Sequence, residues 1–250
     1  MLAWRSEEPL TPRAVLGADA DRLDALSRVH CDGWGYARVT PNRTIAIGRG
    51  TEPAHRSSEF LTAMQDDAAS AAVVHLRWAT EDLAVNLGNT HPFSAPYYGD
   101  QVAFVHNGMI PESSLLLAHI DEDLTNSFRG DTDSERYFGL LMTELRREDG
   151  DVINAYRRTA KLLADFAYTS LNAMLITPKT LAVACLHKPE NRHADFADDY
   201  FPLTWGVQDG VVSAWSMGVR PHAADKRPLD NGTLLTVDIA SGAIDVVPLA

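Results

Sequence analysis

The stretch Thr132-Asp133-Ser134-Glu135-Arg136-Tyr137-Phe138-Gly139-Leu140-Leu141-Met142-Thr143-Glu144-Leu145-Arg146-Arg147 decides the fold class. Tyr137, Leu140, Leu141 and Leu145 fall on one face at helical spacing, while Arg136, Glu144 and Arg147 point elsewhere. Thr132 followed three residues later by Glu135 predicts a capping box at the start of this helix, over residues 134–147. A second helical pattern follows at once, over 152–166, and weaker ones lie at 21–29, 57–65 and 113–120. Outward from this pair the pattern changes to short apolar or alternating runs bounded by turn residues. These predict strands at 43–48, 72–76, 101–106, Asn172–Ile176, 180–186, Val211–Trp215, Thr233–Asp238 and 243–247, the last two joined in a hairpin at Ser241-Gly242. Strands, then a helical pair, then more strands is an α+β order, not the alternation of a parallel doubly wound sheet.

A chain of 250 residues with 45% hydrophobic content can bury a full core, and the continuous turn signals with no linker or repeat predict a single domain over 1–250. The formal net charge of −12 repels phosphate backbones and anionic lipid, which argues against nucleic-acid and membrane-surface partners. The longest apolar run, 181–186, is far short of a membrane span, and the N-terminal residues lack a secretory pattern, so the expected location is the cytoplasm. Cys31 and Cys185 are expected to be reduced thiols.

Several motifs carry more chemistry than a core needs. Asn107-Gly108 after an apolar strand is a turn signal, since Gly accepts positive φ, but an Asn amide beside a Gly NH can also polarise the oxygen of a tetrahedral intermediate. Arg77 at a strand end is either a solvated charge or a planar fork able to grip a carboxylate through two parallel bonds. Asp133 in the first helical turn stabilises the helix dipole by about 0.3–1 kcal/mol, a reading sufficient by itself. His91 and His106 lack any metal-ligand spacing, and they are expected to pack beside the site with no metal or other cofactor. Ala214-Trp215-Ser216-Met217-Gly218 approaches a nucleophile elbow, but the first Gly is Ala and no His follows His222 to complete a triad in the expected chain order.

Taken together and in this order, His75-Leu76-Arg77-Trp78-Ala79-Thr80, Asn89-Thr90-His91-Pro92-Phe93, Val105-His106-Asn107-Gly108-Met109-Ile110 and Asp131-Thr132-Asp133-Ser134-Glu135 resemble the class II glutamine amidotransferases. Asp32-Gly33-Trp34-Gly35 resembles a segment of the small stand-alone bacterial members, which include the amidohydrolase of ergothioneine biosynthesis. The resemblance implies the four-layer αββα sandwich of the N-terminal nucleophile hydrolases, two antiparallel sheets with helices outside. It implies an oxyanion hole from Asn107 and Gly108, a carboxylate clamp from Arg77 and an ammonium clamp from Asp133. Trp78, Thr80 and His106 would complete the substrate site. The substrate class is glutamine or another γ-glutamyl amide, with an ammonia-accepting protein as a further partner.

In that family the catalytic cysteine is the first residue of the mature chain, within Cys-Arg-x-Leu-Ala or Cys-Arg-x-Leu-Gly. Met1-Leu2-Ala3-Trp4 matches from its third residue onward, which places the expected nucleophile two residues before Met1. Met1 cannot replace it, because a thioether has no proton to lose. The 250-residue chain is therefore expected to lack glutaminase activity. Three explanations stand open: a natural start upstream reading Met-Cys-Arg, a non-catalytic homologue that keeps the pocket for binding or regulation, and cleavage before Cys31.

Overall fold

The computed structural model describes residues 1–79, 83–191, 200–218, 221 and 225–249. Two antiparallel sheets lie face to face. The first has seven strands in the spatial order β11-β9-β10-β1-β4-β2-β3: β11 (Arg227–Leu229), β9 (Leu203–Gln208), β10 (Val211–Trp215), β1 (Leu2–Leu10), β4 (Ala69–Leu76), β2 (Trp34–Val39) and β3 (Ile45–Gly50). The second has six, β13-β12-β8-β7-β6-β5: β13 (Ile244–Pro248), β12 (Thr233–Asp238), β8 (Thr180–Cys185), β7 (Asn172–Ile176), β6 (Asp100–Asn107) and β5 (Phe93–Tyr97). Helices α1 (Pro12–Leu16), α2 (Ala20–Ser27) and α3 (Ser58–Asp66) cover the first sheet, while α5 (Asp133–Arg147) and α6 (Val152–Leu163) cover the second; α4 (Glu122–Thr125) is a single turn. This is the expected αββα sandwich.

Alternation along the strands builds the layers. In β1, Leu2 and Trp4 face the α1–α3 side with Trp34, Tyr36 and Phe60, while Ala3 faces the opposite sheet. In β6, Ala103 and Val105 enter the inter-sheet core with Met174 and Val183, while Val102 and Phe104 pack under α5 and α6 against Tyr137 and Leu141. Small residues at Ala3, Ala37, Ala71 and Ala103 let the two sheets approach.

Four local expectations need correction. Thr132 caps α5, its hydroxyl accepting the Glu135 NH, but the Glu135 carboxylate turns to the NH groups of Arg129 and Gly130, both at 2.9 Å, and does not close a capping box. Those NH groups belong to the loop entering the helix, and they compete successfully for its two oxygens. Glu144 is buried, its charge met by Arg147 one turn on. Residues 113–119 wind as 3₁₀ turns, not as an α-helix. Strand β1, central to its sheet, escapes alternation because Leu2 to Ser6 are buried on both faces. Arg5 is accommodated there by its bond to the Ile239 carbonyl at 3.0 Å.

Candidate active site

The start of β1 and the ends of β4, β6 and β10 meet the N-terminus of α5 at one edge of the sandwich. A cavity of about 110 Å³ opens between them, lined among others by Met1, Arg77, Trp78, Asn107, Gly108 and Asp133. His106 also borders it. The expected site residues that are described thus converge, although more than fifty positions of sequence separate Arg77 from Asp133. Thr80 and His222 lie outside the described residues.

Arg77 leaves the end of β4 and is buried, its Nη atoms donating to the carbonyls of Asp32 at 3.3 Å and Ala84 at 3.5 Å. Burial lowers its pKa, opposed by the charges of Asp32 and Asp131. A guanidinium carries five donors, and two long bonds to neutral oxygens leave it suited to an anion. Asp32 anchors this corner: its carboxylate accepts the Ala79 NH at 2.8 Å, and backbone bonds join Asp32 and Gly33 to Arg77. Gly35 is required by close approach, since a Cβ there would stand 1.9 Å from the His91 carbonyl oxygen. The Asp32-Gly33-Trp34-Gly35 motif therefore holds the Arg77 and His91 segments in place.

Asp133 is the first residue of α5, and its Oδ2 accepts the Ile110 NH at 2.8 Å. His106, fully enclosed, bonds Ser134 Oγ through Nδ1 at 2.9 Å and the Ser170 carbonyl through Nε2 at 3.0 Å. Burial lowers its pKa, against the pull of Asp133 and the Ser170 carbonyl. Trp78 is half exposed at the rim, with His30 edge-on to its ring at 5.5 Å. Burial brings His30 down to about 4, so this wall is neutral.

His75 and His91 lie ring to ring on the cavity wall, centroids 4.3 Å apart and tilted by 37°, both buried, and burial holds both well below the ordinary imidazole pKa. Among the described residues no three His, Cys, Asp or Glu side chains are grouped as metal ligands. Met1 itself reaches the pocket: its amine donates to Ser216 Oγ at 2.7 Å, its carbonyl accepts the Ser216 NH, and burial brings the amine down to about 5. In sequence Ser216 stands only in an incomplete nucleophile elbow. The signal available was its place at the end of a buried strand, Val211–Trp215, whose pairing with β1 is legible only once β1 is recognised. Neither thiol stands here. Cys31 is exposed and outside the cavity lining, and Cys185 is buried between the sheets, its pKa pushed up to about 11 by that burial.

The family pattern described as glutamine amidotransferases class-II matches residues 6–177, well over half of the chain. The chain belongs to the class II glutamine amidotransferases. The probable glutamine amidotransferase DUG3 of Saccharomyces cerevisiae is 27% identical over 157 residues, covering 56% of this chain and 43% of that protein. The isomerizing glutamine–fructose-6-phosphate aminotransferase of Acidithiobacillus ferridurans is 29% identical over 176 residues, covering 70% and 24%. This amidotransferase chain thus spans less than half the length of these curated relatives. A class II domain protein from Silicibacter pomeroyi shares the fold with a TM-score of 0.68 at 18% identity, over 100% of this chain and 98% of that one. The glutamine phosphoribosylpyrophosphate amidotransferase of B. subtilis gives 0.62 at 15%, over 100% and 49%. Among the described residues no helix is long and apolar enough to cross a membrane.

Proposed function

We propose that this pocket hydrolyses the side-chain amide of glutamine or of another γ-glutamyl amide. One observation carries the proposal: a buried Arg, a helix-N-terminal Asp and the Asn-Gly pair all border one small cavity. Arg77 takes the α-carboxylate and Asp133 the α-ammonium, which directs the γ-amide toward Asn107 and Gly108. A cysteine thiolate adds to the amide carbon, and the oxyanion forms against the Asn107 amide and the Gly108 NH. The C–N bond then breaks, ammonia or an amine leaves with the proton relayed from the thiol, and water hydrolyses the thioester to glutamate. An ammonia-accepting protein partner, a cytoplasmic location and a single domain over 1–250 complete the reading.

The cysteine is expected two residues before Met1. The β1–β4 register supports that place: Leu2 pairs with Val74, so in the same register a residue two before Met1 falls opposite Arg77. The rival function is binding without catalysis, and one observation favours it for the 250 residues: the two cysteines they contain lie away from the cavity. The test is glutamate release by the 250-residue chain and by a protein extended with Met-Cys-Arg. Activity in the extended protein alone is expected. Inertness of both, with glutamine still bound, would establish the rival.

A further inference from the structure

His106 has no step in the hydrolysis above, yet both of its ring nitrogens are engaged. Nε2 faces the Ser170 carbonyl at 3.0 Å, and a carbonyl only accepts, so Nε2 carries the hydrogen. Burial favours the neutral ring, and with the hydrogen on Nε2 this leaves Nδ1 as an acceptor. Ser134 Oγ, 2.9 Å away, is therefore the donor in that bond, and its longer 3.4 Å contact with Asp133 Oδ1 goes without the proton.

The Ser170 carbonyl has a second neighbour. A Cβ added to Gly108 would stand 1.9 Å from its oxygen and 3.0 Å from His106 Nε2, so the glycine backbone is seated directly on this pair. The following residue is fixed to the same segment, Met109 and Thr169 exchanging two bonds of 3.0 Å. From the other side, the first turn of α5 grips both ends of the loop: Ser134 holds His106, and Asp133 holds the Ile110 NH.

We propose that Ser134 is a positioning residue for amide hydrolysis: by donating to His106 Nδ1 it fixes the Nε2–H tautomer, and the ring's bond to Ser170 sets the seat of Gly108 and the aim of the oxyanion donors. This rests on the hydrolytic assignment of the pocket. Ser134 touches no substrate in this role. It acts through His106.

The test has two arms. In the ¹⁵N-labelled 250-residue chain, the ring nitrogens of His106 are expected to report an Nε2–H tautomer with a hydrogen-bonded Nδ1. Ser134→Ala should move the Nδ1 shift toward that of a free acceptor, and Ser134→Thr should restore it. A proton on Nδ1 in the parent chain, or an Nδ1 shift indifferent to Ser134→Ala, overturns the proposal. In the cysteine-bearing protein, Ser134→Ala should lower kcat about five- to tenfold, the weight of one neutral hydrogen bond, with KM for glutamine little changed and Ser134→Thr near the parent. An active parent with unaltered kcat in Ser134→Ala removes the positioning role alone. An inert parent removes the hydrolytic assignment, and the positioning role with it. If Ser134→Ala fails to fold, the parent tautomer and the Ser134→Thr kinetics still decide.

Discussion

Asp133 Oδ2 accepts the backbone NH of Ile110 at 2.8 Å, so the carboxylate proposed to hold the substrate ammonium also ties down the loop carrying Asn107 and Gly108. Charge and hydrogen bonding can be separated by substitution. Asp133→Asn keeps an oxygen for Ile110 but loses the charge, and it should weaken glutamine binding at least tenfold, as removal of a charged hydrogen bond does at about 1.5–3 kcal/mol. Its melting temperature should stay close to that of the parent. Asp133→Ala leaves the Ile110 NH without its acceptor and should in addition lower Tm, at about 2–4 °C per kcal/mol for a chain of this size. Calorimetric titration and thermal unfolding measure the two effects; equal glutamine affinity in both variants and the parent would remove Asp133 from the head-group site.

Arg77 is held by carbonyl oxygens of Asp32 and Ala84, not by a carboxylate at bonding distance among the described residues. Arg77→Ala should reduce glutamine affinity roughly ten- to hundredfold by the same reckoning for charged hydrogen bonds. Arg77→Lys should recover little, because an ammonium cannot present two parallel donors. Titration of each variant with glutamine checks this, and a Lys variant binding as well as the parent would show that no bidentate grip exists.

The convergence of the candidate residues is more legible in the sequence than parts of the scaffold around them. Arg77, Asn107, Gly108 and Asp133 each had a bland structural explanation, and only their occurrence together marked a pocket; the cavity brings those four together. Strand β1 was missed for a physical reason. Alternation reveals a strand with one wet face, whereas Leu2 to Ser6 are buried on both sides, and Arg5 and Ser6 hide the run behind polar letters. Strand β5 contains Pro96, tolerated because this is the sheet's edge, a position that no local pattern reveals. In sequence Ser216 reads only as part of a broken triad, while its observed partner is the chain's own first residue.

Gly35 offers a test of how the scaffold holds the site. A methyl group there would meet the His91 carbonyl oxygen at 1.9 Å and Pro92 Cδ at 2.6 Å, with no flexible side-chain end to yield. Gly35→Ala should destabilise the protein by about 1–3 kcal/mol or more, in the range of overpacked cores. The urea midpoint should fall with the slope unchanged. An unshifted midpoint would mean that the His91-Pro92 segment can retreat from β2 without loss.

Acid sensitivity should arise from the adjoining pair His75 and His91, whose pKa values burial holds well below 6.5. The unfolded chain exposes ordinary imidazoles that protonate near pH 6.5, while the folded rings stay neutral, so below that pH the unfolded state binds more protons. The stabilisation is complete above pH 6.5 and is lost progressively as pH falls from there toward the depressed folded values. Each ring contributes a slope of up to about 1.4 kcal/mol per pH unit within the window. His91→Phe keeps an aromatic ring against His75 and Phe93 but removes one titrating group, so its urea stability measured at pH 7.5, 6.5 and 5.5 should fall less steeply than that of the parent. Parallel slopes in the two proteins would assign the acid limb to other groups.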